Sequence, residues 1–576
     1  MNMKVAARSL LLFALATSLA SAATNNIPQV QHVIVVVQEN RTPTNLFHED
    51  APLAANGAHV VPPNNQGLCA GSSPVTLTGV SNPECFDPDH SHYPAWVNTY
   101  DGGNMDGACT IQVGVPTGCS LSQCPSGNQH FCPYTYILNT QSNGFIQAPY
   151  FQIAEQYGFA NWMFQTSQGP SQPSHLFLFS GTSAPVSNDG DPQMYWKWFA
   201  AENVQNDRAG DGAGCTAATN SIVLELPPPP IIPYQPAEEP GYNSGYPCYN
   251  HNTLTTLLEA SNPQISWRYY SAAPPGTGFG IWNAPNMIQG ICGSTGPGGS
   301  CAGTDYTTHV VDGNPGVVLR DLGVTRPANT PCTLQQVTWV IPDGNWSDHP
   351  GAGATDAGPS WVASIVNAVG GYDNSGNKLA DQCYDTVGTQ HVPYWQDTVV
   401  LVVWDDWGGF YDDVLPWNCQ PGPSGDCTGY FGGSGSQYVY GFRVPLLVVS
   451  AYTKQVTSTG GYISGTPSQG GETPPFVHDF GSILNFIEYA FGLTQGGISP
   501  NYRYADYYAP DSISGGCTQC VYSLSDFFNF TQTPRTFNPI TGAKYATNCF
   551  LSPTATGCFG PNFTPQDPDD DGIDPQ

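Results

Sequence analysis

Basic residues are scarce in this chain: 14 Lys and Arg stand among 576 residues, against 44 Asp and Glu, for a formal charge of −30. That deficit excludes nucleic acid as a partner, because phosphate backbones are met by basic patches. It also repels anionic substrates at long range, although salt screens the effect beyond about 8–10 Å. A phosphorylated substrate would have to be held locally, by a bound cation, a helix N-terminus or one placed arginine. Long apolar runs are missing too. The stretch Ser9 to Leu19 falls short of the roughly 20 residues needed to cross a bilayer. Preceded by Lys4 and Arg8 and followed by Ala20-Ser21-Ala22, it fits a secretory signal cut after Ala22. The mature chain is therefore expected to have no transmembrane segment and to be secreted or periplasmic. No internal repeat is present.

Cysteine is plentiful. All 18 lie beyond Ala22, and outside the cytoplasm they favour disulfides over thiolate metal sites, with a pairing that spacing does not reveal. Residues 23–500 read as one large α/β domain with Pro- and Gly-rich insertions near 185–260 and 271–330. Within these, Leu226–Tyr242 and Gly290–Gly303 read as extended loops. Residues 501–576 form a Cys-containing extension that includes Cys517 and Cys520. Its acidic end, Asp567 to Asp574, starts like a calcium loop but lacks the later Glu and reads as a solvated tail.

Two β-branched runs, Val33 to Val37 and Val399 to Trp404, end on Glu39-Asn40-Arg41 and Asp405-Asp406. Such runs are the habit of parallel strands buried on both faces. Ligands of open α/β sheets sit beyond the carboxyl ends of the strands. If the two strands are parallel neighbours, Glu39, Asn40, Asp405 and Asp406 gather at one edge as oxygen donors suited to a divalent cation. Further strands are expected at Ile265–Tyr270, Val337–Ile341 and Val444–Val449. A helix is expected over His478–Gly492, where Phe480, Ile483, Leu484, Ile487 and Phe491 recur at three- and four-residue spacing.

In Gly169-Pro170-Ser171-Gln172-Pro173-Ser174-His175, Ser171 stands at or near a helix start. A serine there often only caps. It can also be a nucleophile, since a helix N-terminus favours an incoming phosphate and a metal activates a hydroxyl without a neighbouring His. The third strand runs into Pro342-Asp343-Gly344, with Ser347-Asp348-His349-Pro350 following. His349 and His90, each beside acidic turns, are candidates for acid/base work or phosphate binding. Arg41 suits phosphate binding or a buried ion pair equally well.

In this order, Gln38-Glu39-Asn40-Arg41, Gly-Pro-Ser171-Gln-Pro, Ile-Pro-Asp-Gly with Ser347 to Pro350, Asp405-Asp406-Trp-Gly-Gly-Phe and Gly441-Phe-Arg-Val-Pro445 resemble the bacterial phosphoesterase family of phospholipases C and secreted acid phosphatases. The resemblance runs from Gln31 to Leu493. It implies an alkaline-phosphatase-like fold, a doubly wound, mostly parallel central sheet with helices on both faces. It also implies metal ligands at Glu39, Asn40, Ser171, Asp405 and Asp406, with Ser171 the nucleophile. Three departures stand out. The family's Asp-Glu-His-Gly-Gly is Asp405-Asp406-Trp407-Gly408-Gly409 here, its Pro-Asn-Arg is Pro173-Ser174-His175, and its Ser-Phe-Asp is Thr42-Pro43-Thr44.

The expected function is a secreted, metal-dependent phosphoesterase working through a phosphoserine. An acid phosphatase is favoured over a phospholipase C because little chain follows the matched region. From another class, a catalytically inactive binding protein on the same scaffold would use some of the 26 Phe, 13 Trp and 30 Tyr as a partner surface.

Overall fold

The computed structural model describes residues 25–566 except 83, 117, 140–147, 186–198, 205–212, 227–243, 273–279, 327–330, 352–356, 388, 417–439, 457–459, 467–475, 500–503 and 509–521. The signal segment, most of Leu226–Tyr242, Cys517, Cys520 and the acidic tail lie outside the described residues.

An eight-stranded sheet organises the molecule. Its strands are β1 (His32–Gln38), β2 (Gly158–Ala160), β3 (Trp267–Tyr270), β4 (Val310–Val311), β5 (Val337–Val340), β6 (Thr398–Trp404), β7 (Leu446–Ser450) and β8 (Tyr462–Ser464), in the spatial order β4-β3-β5-β1-β6-β7-β2-β8. β7 alone runs antiparallel to its neighbours; the other pairs are parallel. The two β-branched runs are indeed parallel neighbours, with Val33 opposite Val399 and Gln38 opposite Trp404.

Helices cover both faces of this sheet. Val35 sits in register with both Trp339 and Leu401, so the alternation of side chains puts Trp339 and Trp404 on opposite faces. Trp339 donates its indole N–H to the Leu178 carbonyl of α2 (Ser171–Ser180). Trp404 meets Tyr150 of α1 (Ala148–Gln156) edge-on at 5.1 Å. α3 (Gly358–Val369) packs on α1, and α4 (Phe480–Ala490) on α2. α4 starts two residues later than its periodicity predicts. Asp479 closes a capping box, accepting from the Ser482 amide at 2.9 Å while the Ser482 hydroxyl accepts from the Asp479 amide at 3.0 Å.

Gly290–Gly303 is not wholly extended: Gln289–Cys292 is helical, and Cys292 is bonded to Cys301. Seven disulfides form among the described residues, which contain no free cysteine. Leu524, Phe527, Phe537, Ile540 and Phe550 of the C-terminal extension belong to the same apolar core as the sheet. No helix among the described residues is long and apolar enough to cross a membrane.

Several acids are buried away from the sheet edge. Burial and the charge of Glu155 push Asp50 up to about 8. Burial lifts Asp506 to about 6 and, with the charge of Asp506, raises its neighbour Glu488. Raised folded-state values mean that the stability is fully present below the unfolded values near 4 and is lost as pH rises through about 6 to 8. The melting temperature should therefore be higher at pH 4.5 than at pH 8.5. Asp50 caps the short helix Ala51–Ala55 by accepting from the Leu53 amide, and Asn can make the same cap. Asp50→Asn should add ~1–3 kcal/mol at pH 8.5 and little at pH 4, read from denaturant midpoints.

Candidate active site

The carboxyl ends of β1 and β6 continue in step beyond the last ladder pair. The Asp405 amide donates to the Gln38 carbonyl at 3.0 Å, and the Arg41 amide to the Asp406 carbonyl at 3.0 Å. Between them Asn40 takes a left-handed conformation, φ 58°, which an L-residue adopts at some cost and Asn more readily than most. Its amide is tied to Asp405 Oδ1 at 3.1 Å. Asp405 Oδ1 also receives the Asp406 amide at 2.7 Å, and Asp406 Oδ1 receives the Gly408 amide at 2.7 Å. These bonds turn the loop sharply and aim the remaining carboxylate oxygens inward.

Ser171 does not cap. It is the first residue of α2, after Pro170, and its side chain makes no capping hydrogen bond. Its Oγ lies 3.2 Å from Glu39 Oε2, 3.2 Å from Asp406 Oδ2 and 3.4 Å from Asn40 Oδ1. One hydroxyl is thus surrounded by three acceptors while it has one proton to give. The helix N-terminus supplies less than expected: the Gln172 amide is taken by Asn203 Oδ1 at 3.0 Å, and Pro173 has no N–H.

His175 reaches the same cluster one turn into α2. Its Nε2 lies 3.0 Å from Glu39 Oε1 and 3.5 Å from Asp405 Oδ2. His90 and His349 stand across the site with ring centres 5.7 Å apart. In each, Nδ1 faces a backbone carbonyl, Pro88 at 3.0 Å and Pro350 at 2.6 Å, so Nδ1 carries the proton and Nε2 is the acceptor in the neutral ring. His90 Nε2 then accepts from the Asn40 side chain, Nδ2, at 3.1 Å. Trp407 packs edge-on to His90 and Phe442, and its indole N–H finds no hydrogen bond.

Arg41 is buried, but its guanidinium is committed elsewhere. It donates to the Asp348 carbonyl from Nε at 2.9 Å and Nη2 at 2.6 Å and lies over the Phe410 ring. Burial lowers it to about 10 against the opposing charges of Asp348 and Asp87. It thereby fixes the loop that presents His349. Gln38 braces the same loop, accepting the Asp348 amide at 2.9 Å and donating to the Trp346 carbonyl at 3.3 Å. Arg443 clasps Asp412 through two bonds of 3.0 and 2.9 Å and serves the stem of the loop after Asp406.

Electrostatics point to a missing positive charge. Glu39, Asp405 and Asp406 are all fully buried. Burial and the charges of Asp405 and Asp406 raise Glu39 well above the carboxylate range. Burial and Asp405 push Asp406 up to about 8. Burial opposes the ionisation of Asp405 too, yet contacts with His175 and Glu39 hold it at about 2. Asp405 Oδ2 is buried with no hydrogen-bond partner. Glu39, His175 and Asp405 offer ligand atoms within 4.8 Å of one another. Oxygen-rich donors of this kind fit a divalent cation, with the imidazole admitting transition metals as well.

Among the predicted residues, the fold brings Glu39, Asn40, Ser171, Asp405 and Asp406 into one cluster flanked by His90 and His349, and turns the Arg41 guanidinium into the supporting loop. By sequence His175 stands where the family pattern has an arginine, as a replacement cation or a space-filler, and the structure sets it against Glu39 and Asp405. Gln165 left no signal at all. Its side chain accepts the Trp407 amide at 3.1 Å and donates to the Gly169 carbonyl at 3.0 Å, linking the loop after Asp406 to the approach to Ser171.

Residues 30–494 match the model of the Phosphoesterase family. The chain is 21% identical to a non-hemolytic phospholipase C of Pseudomonas aeruginosa over 502 residues, covering 82% of this chain and 56% of that protein. It is 23% identical to the hemolytic phospholipase C of the same organism, covering 83% and 55%. It is 21% identical to phospholipase C A of Mycobacterium tuberculosis, covering 74% and 69%. The chain thus spans just over half the length of the two Pseudomonas proteins.

Gly408 has φ +62°, and a Cβ there would collide with the Asn40 carbonyl. Gly408→Ala should cost on the order of 1–3 kcal/mol and reduce divalent-cation uptake by displacing Asn40, as measured by melting and by metal content after dialysis.

Proposed function

Because this chain belongs to the phosphoesterase family, we propose that it is a secreted, divalent-cation-dependent hydrolase of phosphate esters that works through a phosphoserine at Ser171. The observation that carries this reading is the Ser171 hydroxyl shared by Glu39, Asn40 and Asp406. Glu39, Asn40, Ser171, Asp405 and Asp406 would hold the cation, with His175 at its margin. When bound, the cation supplies Lewis-acid stabilisation of charge on the phosphoryl oxygens.

The chain's own groups supply the rest. Ser171 Oγ attacks phosphorus and its proton passes to Glu39 or Asp406, the carboxylates whose oxygens lie 3.2 Å from it. As the bond to the leaving oxygen breaks, His349, protonated at Nε2, gives its proton to the departing alcohol. Water then attacks the phosphoserine, His349 takes the water's proton, and phosphate leaves as Ser171 regains its own. Asn40 orients Ser171 and His90 together, and three buried rings pack beside the site, Trp282 against His175 and His349, Trp407 against His90, and Phe442 against Trp407.

We read the fold as alkaline-phosphatase-like, supported by the mostly parallel sheet with its ligands at the carboxyl edge. Residues 23–500 are read as the catalytic unit and 501–576 as an extension docked on it. Secretion is supported by the seven disulfides. A phosphomonoester is the favoured substrate, because the exposed large apolar residues, such as Val61, Leu121 and Tyr507, are scattered along the sequence. The second reading, a phospholipase C, is favoured by the names of the relatives.

Ser171→Ala should lower kcat on a chromogenic phosphate monoester by at least ~10³-fold while the protein stays folded. Full activity in that variant would refute the scheme, and would favour neither substrate. Release of phosphate from the monoester is expected to exceed release of phosphocholine from phosphatidylcholine vesicles; the opposite ranking would select the phospholipase. His349→Ala should cost ~10²–10⁴-fold, with a smaller loss on a substrate whose leaving group needs no proton.

A further inference from the structure

At the amino-terminal edge of the sheet, a second constellation of metal-binding type has formed from residues that the phosphoryl-transfer site does not use. His32 opens β1, Asp397 immediately precedes β6, and Asp385 lies in the hairpin of Tyr384–Val387 and Gln390–Pro393. Their ligand atoms lie within 4.8 Å of one another. A seven-residue strand is roughly 20 Å long, so this cluster and the Ser171 site occupy opposite ends of β1.

His32 has the orientation of a metal ligand. Its Nδ1 lies 2.9 Å from the Gln335 carbonyl and its Nε2 lies 2.7 Å from Asp385 Oδ2. An Nδ1–H donated to a backbone carbonyl leaves Nε2 facing Asp385, and ligating histidines are commonly held by such a carbonyl. A neutral ring in that tautomer would set a lone pair against a carboxylate oxygen, so a positive charge is required between or upon them. Asp397 gives an independent sign. The residue is 3% exposed and its Oδ2 is buried with no hydrogen-bond partner. Its Oδ1 has a long contact from the Thr398 hydroxyl, 3.5 Å, and burial together with the facing Asp385 carboxylate raises Asp397 to about 9. The Asp385 side chain is 31% exposed, which gives an ion a way in.

We propose that His32, Asp385 and Asp397 bind a divalent transition ion of the zinc class, a structural site separate from the catalytic one. One imidazole nitrogen and two carboxylates match the mixed nitrogen and oxygen donors that zinc accepts, with water completing the shell. The ion fastens the hairpin to the first residues of the two central strands. A two-stranded hairpin is marginal by itself, and this one is otherwise tethered by Cys332–Cys383, which ends two residues before Asp385.

The test uses the full protein, stripped by chelator and reloaded with ZnCl₂, with bound zinc per chain measured by mass spectrometry and melting followed with and without the metal. Asp385→Asn, in the half-exposed hairpin, should fold normally and lose one zinc per chain together with part of the zinc-dependent rise in Tm. His32→Gln should lose the same one. In the double variant Glu39→Gln/Asp405→Asn, which disables the catalytic cluster, one zinc should remain, and adding Asp385→Asn should remove it. Unchanged stoichiometry in Asp385→Asn, or no zinc left in the catalytic double variant, would overturn the proposal and leave the cluster as a protonated histidine ion pair.

Discussion

Three carboxylates and one hydroxyl buried together at the ends of two neighbouring strands set the terms for the rest of the molecule. Two unit charges separated by 4–5 Å repel by roughly 3–4 kcal/mol at an effective dielectric of 20, and Glu39 and Asp405 are within that range. Burial first, and this repulsion after it, make the cluster keep protons without a cation, so that Glu39 and Asp406 are raised while Asp405 stays ionised. Such an arrangement survives in a fold only when the backbone beneath it cannot relax. Here that backbone is the parallel β1–β6 pair, buried along all fourteen of its residues.

The scaffold reinforces this point with neutral hydrogen bonds in place of more charge. Gln38 ties the His349 loop, Gln165 ties the Trp407 loop to the approach to Ser171, and Asn40 joins the hydroxyl to His90. Amides can donate and accept without adding to the electrostatic load. The two buried arginines stand one layer out, where Arg41 grips a carbonyl and Arg443 a carboxylate. In a chain so poor in basic residues, both are used to hold loops in place.

The strands were legible because a parallel sheet buried on both faces writes itself as unbroken Val and Ile, and their alignment followed from two runs ending on similar ligands. The start of β7 was not, since Val444 and Pro445 continue the apolar run of Val444–Val449 while the ladder begins only at Leu446. Ser171 could be singled out but not assigned: a cap and a nucleophile have the same local sequence, and only the approach of Glu39 and Asp406 from distant segments separates them. Arg41 illustrates the opposite limit. Its sequence leaves phosphate binding and a buried ion pair equally open, whereas its guanidinium grips a carbonyl 307 residues away, a relation that no spacing records. His32, Asp385 and Asp397 are invisible for the same reason, being gathered from a strand start, a hairpin and a loop.

β7 runs against its neighbours, and so enters the sheet at the ligand edge instead of leaving from it. The segment between Asp406 and Leu446 therefore begins and ends at the active site, and the Arg443–Asp412 clasp joins its two ends. A stretch closed at its own base can change length or composition without transmitting strain to Glu39 or Ser171. Changes of length or sequence beyond that clasp would thus leave the geometry beneath it constant, which makes the stretch a natural place for members of one family to diverge.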